Sequence, residues 1–251
     1  MNERKYKTLN WHKERFCIVV ELNELPADEE AIALCATDMS ELCEQIAWDE
    51  EIRVVVLLFS GNMQGSSNRI SSGETVNVSL AEPVAGLKQP VIAAIRGDAI
   101  ELGLELALAC DIRISTERAV FGMSQICSGE IPSNGGTQRL PRLIGQSRAM
   151  HMVLTGETID AVDALRIGLV HRIVASEALL PSAMEMAREM AQKSPLSLSF
   201  VKEALYGSMD LTLDQGINKE MDLYLLLFST SDRTEGINAF REKRKPEFKG
   251  I

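Results

Sequence analysis

The alternation of apolar and polar positions divides the chain into short buried strands and longer amphipathic helices. Phe16 to Leu22 is hydrophobic and β-branched and predicts a first strand. After a polar connection containing Pro26, Leu34, Met39, Leu42, Cys43 and Ile46 recur at helical spacing, which predicts a helix over 32–47. Asp38, with Glu41 three residues on, has the form of a cap for a later start of that helix. Arg53 to Phe59 is almost uninterrupted Val, Leu and Phe. A strand of that kind is buried on both faces and implies a sheet covered by helices. A second such run, Pro90 to Ile95, turns at Gly97 and leads into a helical segment, Leu102 to Cys110; a further apolar stretch spans Asp111 to Ser115.

Gly136 to Thr155 and Ile159 to Gly168 then read as helices, with Leu169 to Val174 a short strand. Ser176 to Lys193 is amphipathic, with Ala183, Met184, Ala187, Met190 and Ala191 along one face. Pro195 ends it. The strand–helix alternation predicts an α/β core domain over 1–195, and the remainder, 196–251, is helical in pattern. Met221 to Phe228 is too apolar for a solvated helix and calls for a covering partner, either the core or another subunit. Ser60 to Gly73 is a polar loop rich in Gly and Ser, long enough to be functional, and Glu74 to Ala85 has no strong period.

Charge and composition narrow the function. A net charge of -10 over 251 residues argues against a nucleic-acid partner, which requires a positive surface. No stretch approaches the roughly 20 apolar residues of a membrane helix. The five cysteines are odd in number and lack CxxC spacing, as expected of reduced thiols in a cytoplasmic protein. No apolar run follows Met1 to Lys5, so no signal peptide is expected. His12, His151 and His171 fall in no ligand or triad spacing, and no metal is expected.

The candidate chemistry sits between Pro90 and Arg142. There a strand, a glycine turn, a helix bearing Glu101 and Glu105, and a second polar loop with Gln125, Glu130 and Pro132 have the makings of a site at strand ends. Helical i,i+4 spacing puts Glu101 and Glu105 on one face, where two close carboxylates raise one pKa.

These segments, Pro90-Val91-Ile92-Ala93-Ala94-Ile95-Arg96-Gly97, Glu105-Leu106-Ala107, Cys110-Asp111, Phe121-Gly122, Ile131-Pro132 and Gly135-Gly136-Thr137-Gln138-Arg139-Leu140, resemble the enoyl-CoA hydratase/isomerase (crotonase) family in order and spacing. Leu154-Thr155-Gly156, Ala161 to Val170 and the tail from Asp232 to Phe248 continue the likeness. The resemblance implies a crotonase-like spiral of ββα repeats, a C-terminal helical region that builds homotrimers or homohexamers, and an acyl-CoA thioester as substrate. Coenzyme A is then part of the substrate and no other cofactor is implied.

The resemblance also implies roles. Backbone N–H groups of Asn68 and Leu102 correspond to an oxyanion hole for the thioester oxygen, where each donor is worth about 3–4 kcal/mol of barrier. Ser66, Ser67, Ile70 and Pro132 fall beside them in the thioester-binding segments. Phe240 and Lys243 correspond to a region that can contact the nucleotide of CoA in a neighbouring subunit. Hydratases of this family use two carboxylates. Glu105 matches the first, but Gln125 stands in the place of the second, and an amide neither gives nor takes a proton at neutral pH. Either Glu105 does both jobs, or another acid substitutes, with Glu101, Asp98 and Glu130 the candidates. Where the family usually has Gly or Ala, this chain has Leu102, whose bulk bears on close approach. Hydration of an enoyl- or dienoyl-CoA is the leading expectation. Isomerisation, decarboxylation or hydrolysis of an acyl-CoA, or a non-catalytic acyl-CoA-binding oligomer, are the rivals.

Overall fold

The computed structural model describes residues 6–25, 28–65 and 79–251. The chain opens with β1 (Asn10–Glu14), β2 (Cys17–Leu22), α1 (Glu29–Trp48), β3 (Val54–Phe59), β4 (Met63–Gly65) and α2 (Ala81–Ala85). It continues with β5 (Val91–Ile95), β6 (Ala99–Glu101), α3 (Leu102–Ala109), β7 (Ile112–Thr116) and β8 (Val120–Gly122). A 3-10 turn over Gln125–Ser128 precedes α4 (Gly136–Ile144) and α5 (Gln146–Thr155). Then come β9 (Ile159–Asp160), α6 (Ala161–Arg166), β10 (Arg172–Val174) and α7 (Leu179–Ala191). Three helices complete the chain: α8 (Pro195–Gly207), α9 (Leu213–Leu227) and α10 (Ser231–Glu242).

From β3 to β8 each successive pair of strands is shared between two sheets. The larger has the order β1-β2-β3-β5-β7-β10 and the smaller β4-β6-β8-β9. Thus β3, β5 and β7 enter the first, while β4, β6 and β8, which follow them directly, enter the second. This is the ββα spiral. Within the larger sheet all pairs are parallel except β1 with β2.

The two-residue period of a strand explains how the larger sheet is covered. Val55, Leu57 and Phe59 of β3 join Ile18, Val20, Val91 and Ala93 in one core, with α1 packed over it. Val54, Val56 and Leu58 join Val19, Ile92 and Ala94 in a second core under Ala183, Met184 and Ala187 of α7. Neither face of β3 reaches water, as its continuous apolar sequence predicts.

Three local expectations are corrected. Helix α1 starts earlier than the apolar stripe suggests, because Asp28 caps it through a bond from the Ala31 N–H at 2.8 Å. Asp38 is no cap: its Oδ2 accepts the N–H groups of Lys7 and Thr8 and the Thr8 hydroxyl, tying the N-terminal segment to mid-helix. The span 136–155 is two helices, broken at Gly145.

The C-terminal helices are anchored by polar contacts. Asp111 accepts from Lys202 Nζ at 2.8 Å and from the Tyr206 hydroxyl at 2.9 Å, fixing α8 to the end of α3. The Arg53 guanidinium donates to the Ala191 and Phe248 carbonyls at 3.0 and 2.6 Å, holding the tail against the start of β3. Asp232 accepts from the N–H groups of Lys249 and Gly250. Met221, Tyr224, Leu225 and Leu226 of α9, and Phe228 just after it, nevertheless stay exposed. No helix among the described residues is long and apolar enough to cross a membrane.

Candidate active site

The site is built where β6 runs directly into α3. Leu102 is the first helical residue, and N–H groups of a first turn lack intrahelical partners. Close packing holds this corner. A Cβ on Gly103 would collide with the Met63 carbonyl and side chain, so α3 abuts β4 backbone to backbone. The Leu102 side chain is 1% exposed and belongs to the main core. Its bulk is therefore absorbed inside the protein, contrary to the expectation that it would crowd the approach to the amide.

Glu105 lies one turn into α3 and is fully buried. Its Oε1 accepts the N–H of Asn134 at 2.7 Å and of Gly136 at 2.9 Å. Its Oε2 meets the Gln125 amide nitrogen at 3.4 Å. Burial pushes the Glu105 carboxyl above the ordinary carboxylate range; the bonds from the Gly136, Asn134 and Ser133 backbone, and Arg139 nearby, oppose that shift without cancelling it. A buried acid with a raised pKa is suited to accept and return a proton near neutrality. Gly136 is needed here for space: an added Cβ would stand 3.0 Å from Glu105 Cγ and Oε1 and 2.7 Å from Met123 Cε.

Gln125 is also buried, and its Oε1 has no hydrogen-bond partner among the described residues. Its amide nitrogen faces Glu105, which leaves the carbonyl to accept from a water or ligand. The preceding residue, Ser124, donates its hydroxyl to Glu101 Oε1 at 2.8 Å. Glu101 is not on the helical face inferred from spacing. It ends β6 with φ 55 and ψ -117, outside the helix.

Asn134 was not anticipated from sequence. It is 6% exposed, its Oδ1 accepts the Leu80 N–H, and its carbonyl accepts from Arg139 Nη1, so it couples α2, α4 and the Glu105 loop. Its position just before Gly135-Gly136 is the only trace in the sequence. Pro132 is buried in the same loop. Asp98 occupies the β5–β6 turn, where its N–H donates to Asn62 Oδ1, and the Glu130 N–H closes the 3-10 turn on the Gln125 carbonyl. Phe240 and Lys243 are exposed at the end of α10, on a different element from the Glu105 cluster. Ser66, Ser67, Asn68 and Ile70 lie outside the described residues. A cleft lined by Leu108, Leu143, Leu198, Lys202 and Tyr206 opens at the other end of α3 and includes neither Glu105 nor Gln125.

Comparison with known proteins places this arrangement. An enoyl-CoA hydratase from Bacillus anthracis superposes with a TM-score of 0.88 at 33% identity, covering 98% of this chain and 100% of that one. The (E)-benzylidenesuccinyl-CoA hydratase of Thauera aromatica is 38% identical over 224 residues, 85% of this chain and 88% of that protein. The 2,3-dehydroadipyl-CoA hydratase of Escherichia coli (strain K12) is 46% identical over 162 residues, 64% of each chain. The mitochondrial enoyl-CoA hydratase of Pongo abelii is 45% identical over 163 residues, 65% of this chain and 56% of that protein. The match to these last two thus spans less than two thirds of their length. The profile of the enoyl-CoA hydratase/isomerase family matches residues 18–251. With its strands shared between two sheets, its helix start beside a buried glutamate and this match over nearly its whole length, the chain belongs to the enoyl-CoA hydratase/isomerase family.

Proposed function

We propose that the protein adds water reversibly to the double bond of an enoyl-CoA or dienoyl-CoA thioester. The observation that carries this reading is Glu105: fully buried, with a raised pKa, held one turn inside a helix whose first N–H groups have no intrahelical partner. The thioester oxygen receives hydrogen bonds from the N–H of Leu102 and, from the preceding repeat, of Asn68. Charge developing there as an enolate is stabilised by donors fixed beforehand and by the positive end of α3. Glu105 takes a proton from the attacking water, and the Gln125 side-chain carbonyl, unpartnered among the described residues, orients that water. Ser66, Ser67, Ile70 and Pro132 flank the thioester, and Phe240 and Lys243 meet the nucleotide end of CoA. Two of the relatives carry names of carboxylated acyl-CoA substrates, which supports including such thioesters among those tried.

The assembly is proposed as a homotrimer, or a hexamer of two trimers. The exposed apolar residues of α9 and of α8, Val201 and Leu205 among them, support a covered face. The five unpaired cysteines, four of them buried, favour a reducing compartment such as the cytoplasm.

The test is a panel of acyl-CoA thioesters followed by loss of the conjugated thioester absorbance and by mass. Gain of one water is the expected result. A product of unchanged mass would establish isomerisation instead, which the amide at position 125 favours as the second reading. Binding without turnover across the panel would leave an acyl-CoA-binding oligomer.

A further inference from the structure

We infer that Glu101 supplies the second proton-transfer group that Gln125 cannot, so that the acid has moved from the 3-10 turn to the end of β6. This rests on the hydratase reading and deepens it.

Three observations converge. First, Glu101 adopts φ 55 and ψ -117, a conformation that side-chain-bearing residues rarely hold. A glycine would sit there without strain, so retaining a glutamate demands compensation. Second, its carboxylate is directed at the turn that carries Gln125: Oε1 accepts from the Ser124 hydroxyl at 2.8 Å. Consecutive residues 124 and 125 are thus held by Glu101 and Glu105 in turn. Third, the buried Gln125 Oε1 has no hydrogen-bond partner among the described residues, so the residue next to the one Glu101 holds keeps a polar atom able to accept from water or substrate. Glu105 is closed off from solvent, whereas Glu101 is partly exposed.

Water oxygen bonds to Cβ while Glu105 accepts the proton it releases. The π pair of the double bond moves to form the enolate. As the enolate collapses to the thioester, Cα takes a proton from the Glu101 carboxyl. Glu105 is then one proton richer and Glu101 one poorer; that proton passes back to Glu101 when water replaces product in the site, and no other reactant is consumed.

The test exploits the strain. Glu101→Gly removes the carboxylate and the unfavourable backbone together. The expected result is a higher melting temperature with kcat reduced by about 10²–10⁴-fold and KM little changed. Glu101→Gln is expected to lose rate to the same extent without the thermal gain. Adding Gln125→Glu to Glu101→Gly is expected to restore kcat to within about tenfold of the native protein. Unaltered kcat in Glu101→Gly would overturn the proposal, and so would a loss that Gln125→Glu leaves uncorrected. Exchange of the Cα hydrogen in deuterated water, measured alongside, separates the two readings. Native protein that exchanges Cα hydrogen without hydrating defeats the hydration reading alone, and the variants are then judged on exchange; native protein that does neither defeats both.

Discussion

Glu105 and Asp232 are both buried carboxylates, 0% and 2% exposed, and both accept backbone N–H groups. They differ in how those bonds are distributed. Asp232 uses one oxygen for Lys249 and the other for Gly250, so the whole group is spent on closing the tail against α10. Glu105 gathers Asn134 and Gly136 on Oε1, with a further bond from the Ser133 backbone, while Oε2 meets at 3.4 Å the amide nitrogen of a glutamine whose side-chain carbonyl is unsatisfied among the described residues. A carboxylate saturated on both oxygens is a fastener. One held by backbone bonds beside an unsatisfied amide is oriented but still able to react.

The sharpest way to break this contrast is Glu105→Gln. It should keep the fold and lower kcat by about 10²–10⁴-fold in the thioester assay; undiminished turnover would make Glu105 a second Asp232. Next comes Gly136→Ala, whose methyl would press on Glu105 Cγ and Oε1. Destabilisation of about 1–3 kcal/mol by chemical denaturation is expected, together with reduced kcat. Asp232→Ala should cost about 1–3 kcal/mol by the same measure, because two N–H groups lose their acceptor, while kcat of the folded protein holds. A collapse of kcat in Asp232→Ala would erase the distinction from the other side.

The smallest effect is in the pH dependence. Because burial raises the Glu105 pKa on folding, the folded state binds more protons than the unfolded one above the ordinary carboxylate value. The native protein should therefore lose stability as pH rises through the raised pKa, and Glu105→Gln should lack this component. Melting curves of both proteins from about pH 5 to about pH 8 would show the difference between them moving in favour of the variant. A constant difference would mean that Glu105 is charged in both states throughout.

Much of the architecture was legible because β3 and β5 are covered on both faces, which leaves an unbroken apolar run in the sequence. β1 was not: as an edge strand with pattern Asn-Trp-His-Lys-Glu, it pairs with β2 through its backbone and buries little. The strands of the smaller sheet span only two or three residues, too few to display a period. Glu105 and Gln125 were found by their place in a motif, and the structure brings them together. The position of Glu101 was misjudged because i,i+4 spacing presumes both residues are helical. Whether a residue opens a helix or ends the strand before it depends on tertiary pairing, here of Glu101 with Gly65. Asn134 was missed for a related reason: its bonds to Leu80 and Arg139 bridge segments far apart in sequence.

That rung between Gly65 and Glu101 has a consequence. Leu102 follows one of its residues immediately, and Asn68 comes three after the other. Both proposed amides thus depart from a single crossbar of the smaller sheet. A substitution at either residue of that rung would therefore reach the start of α3 and the start of the polar loop together.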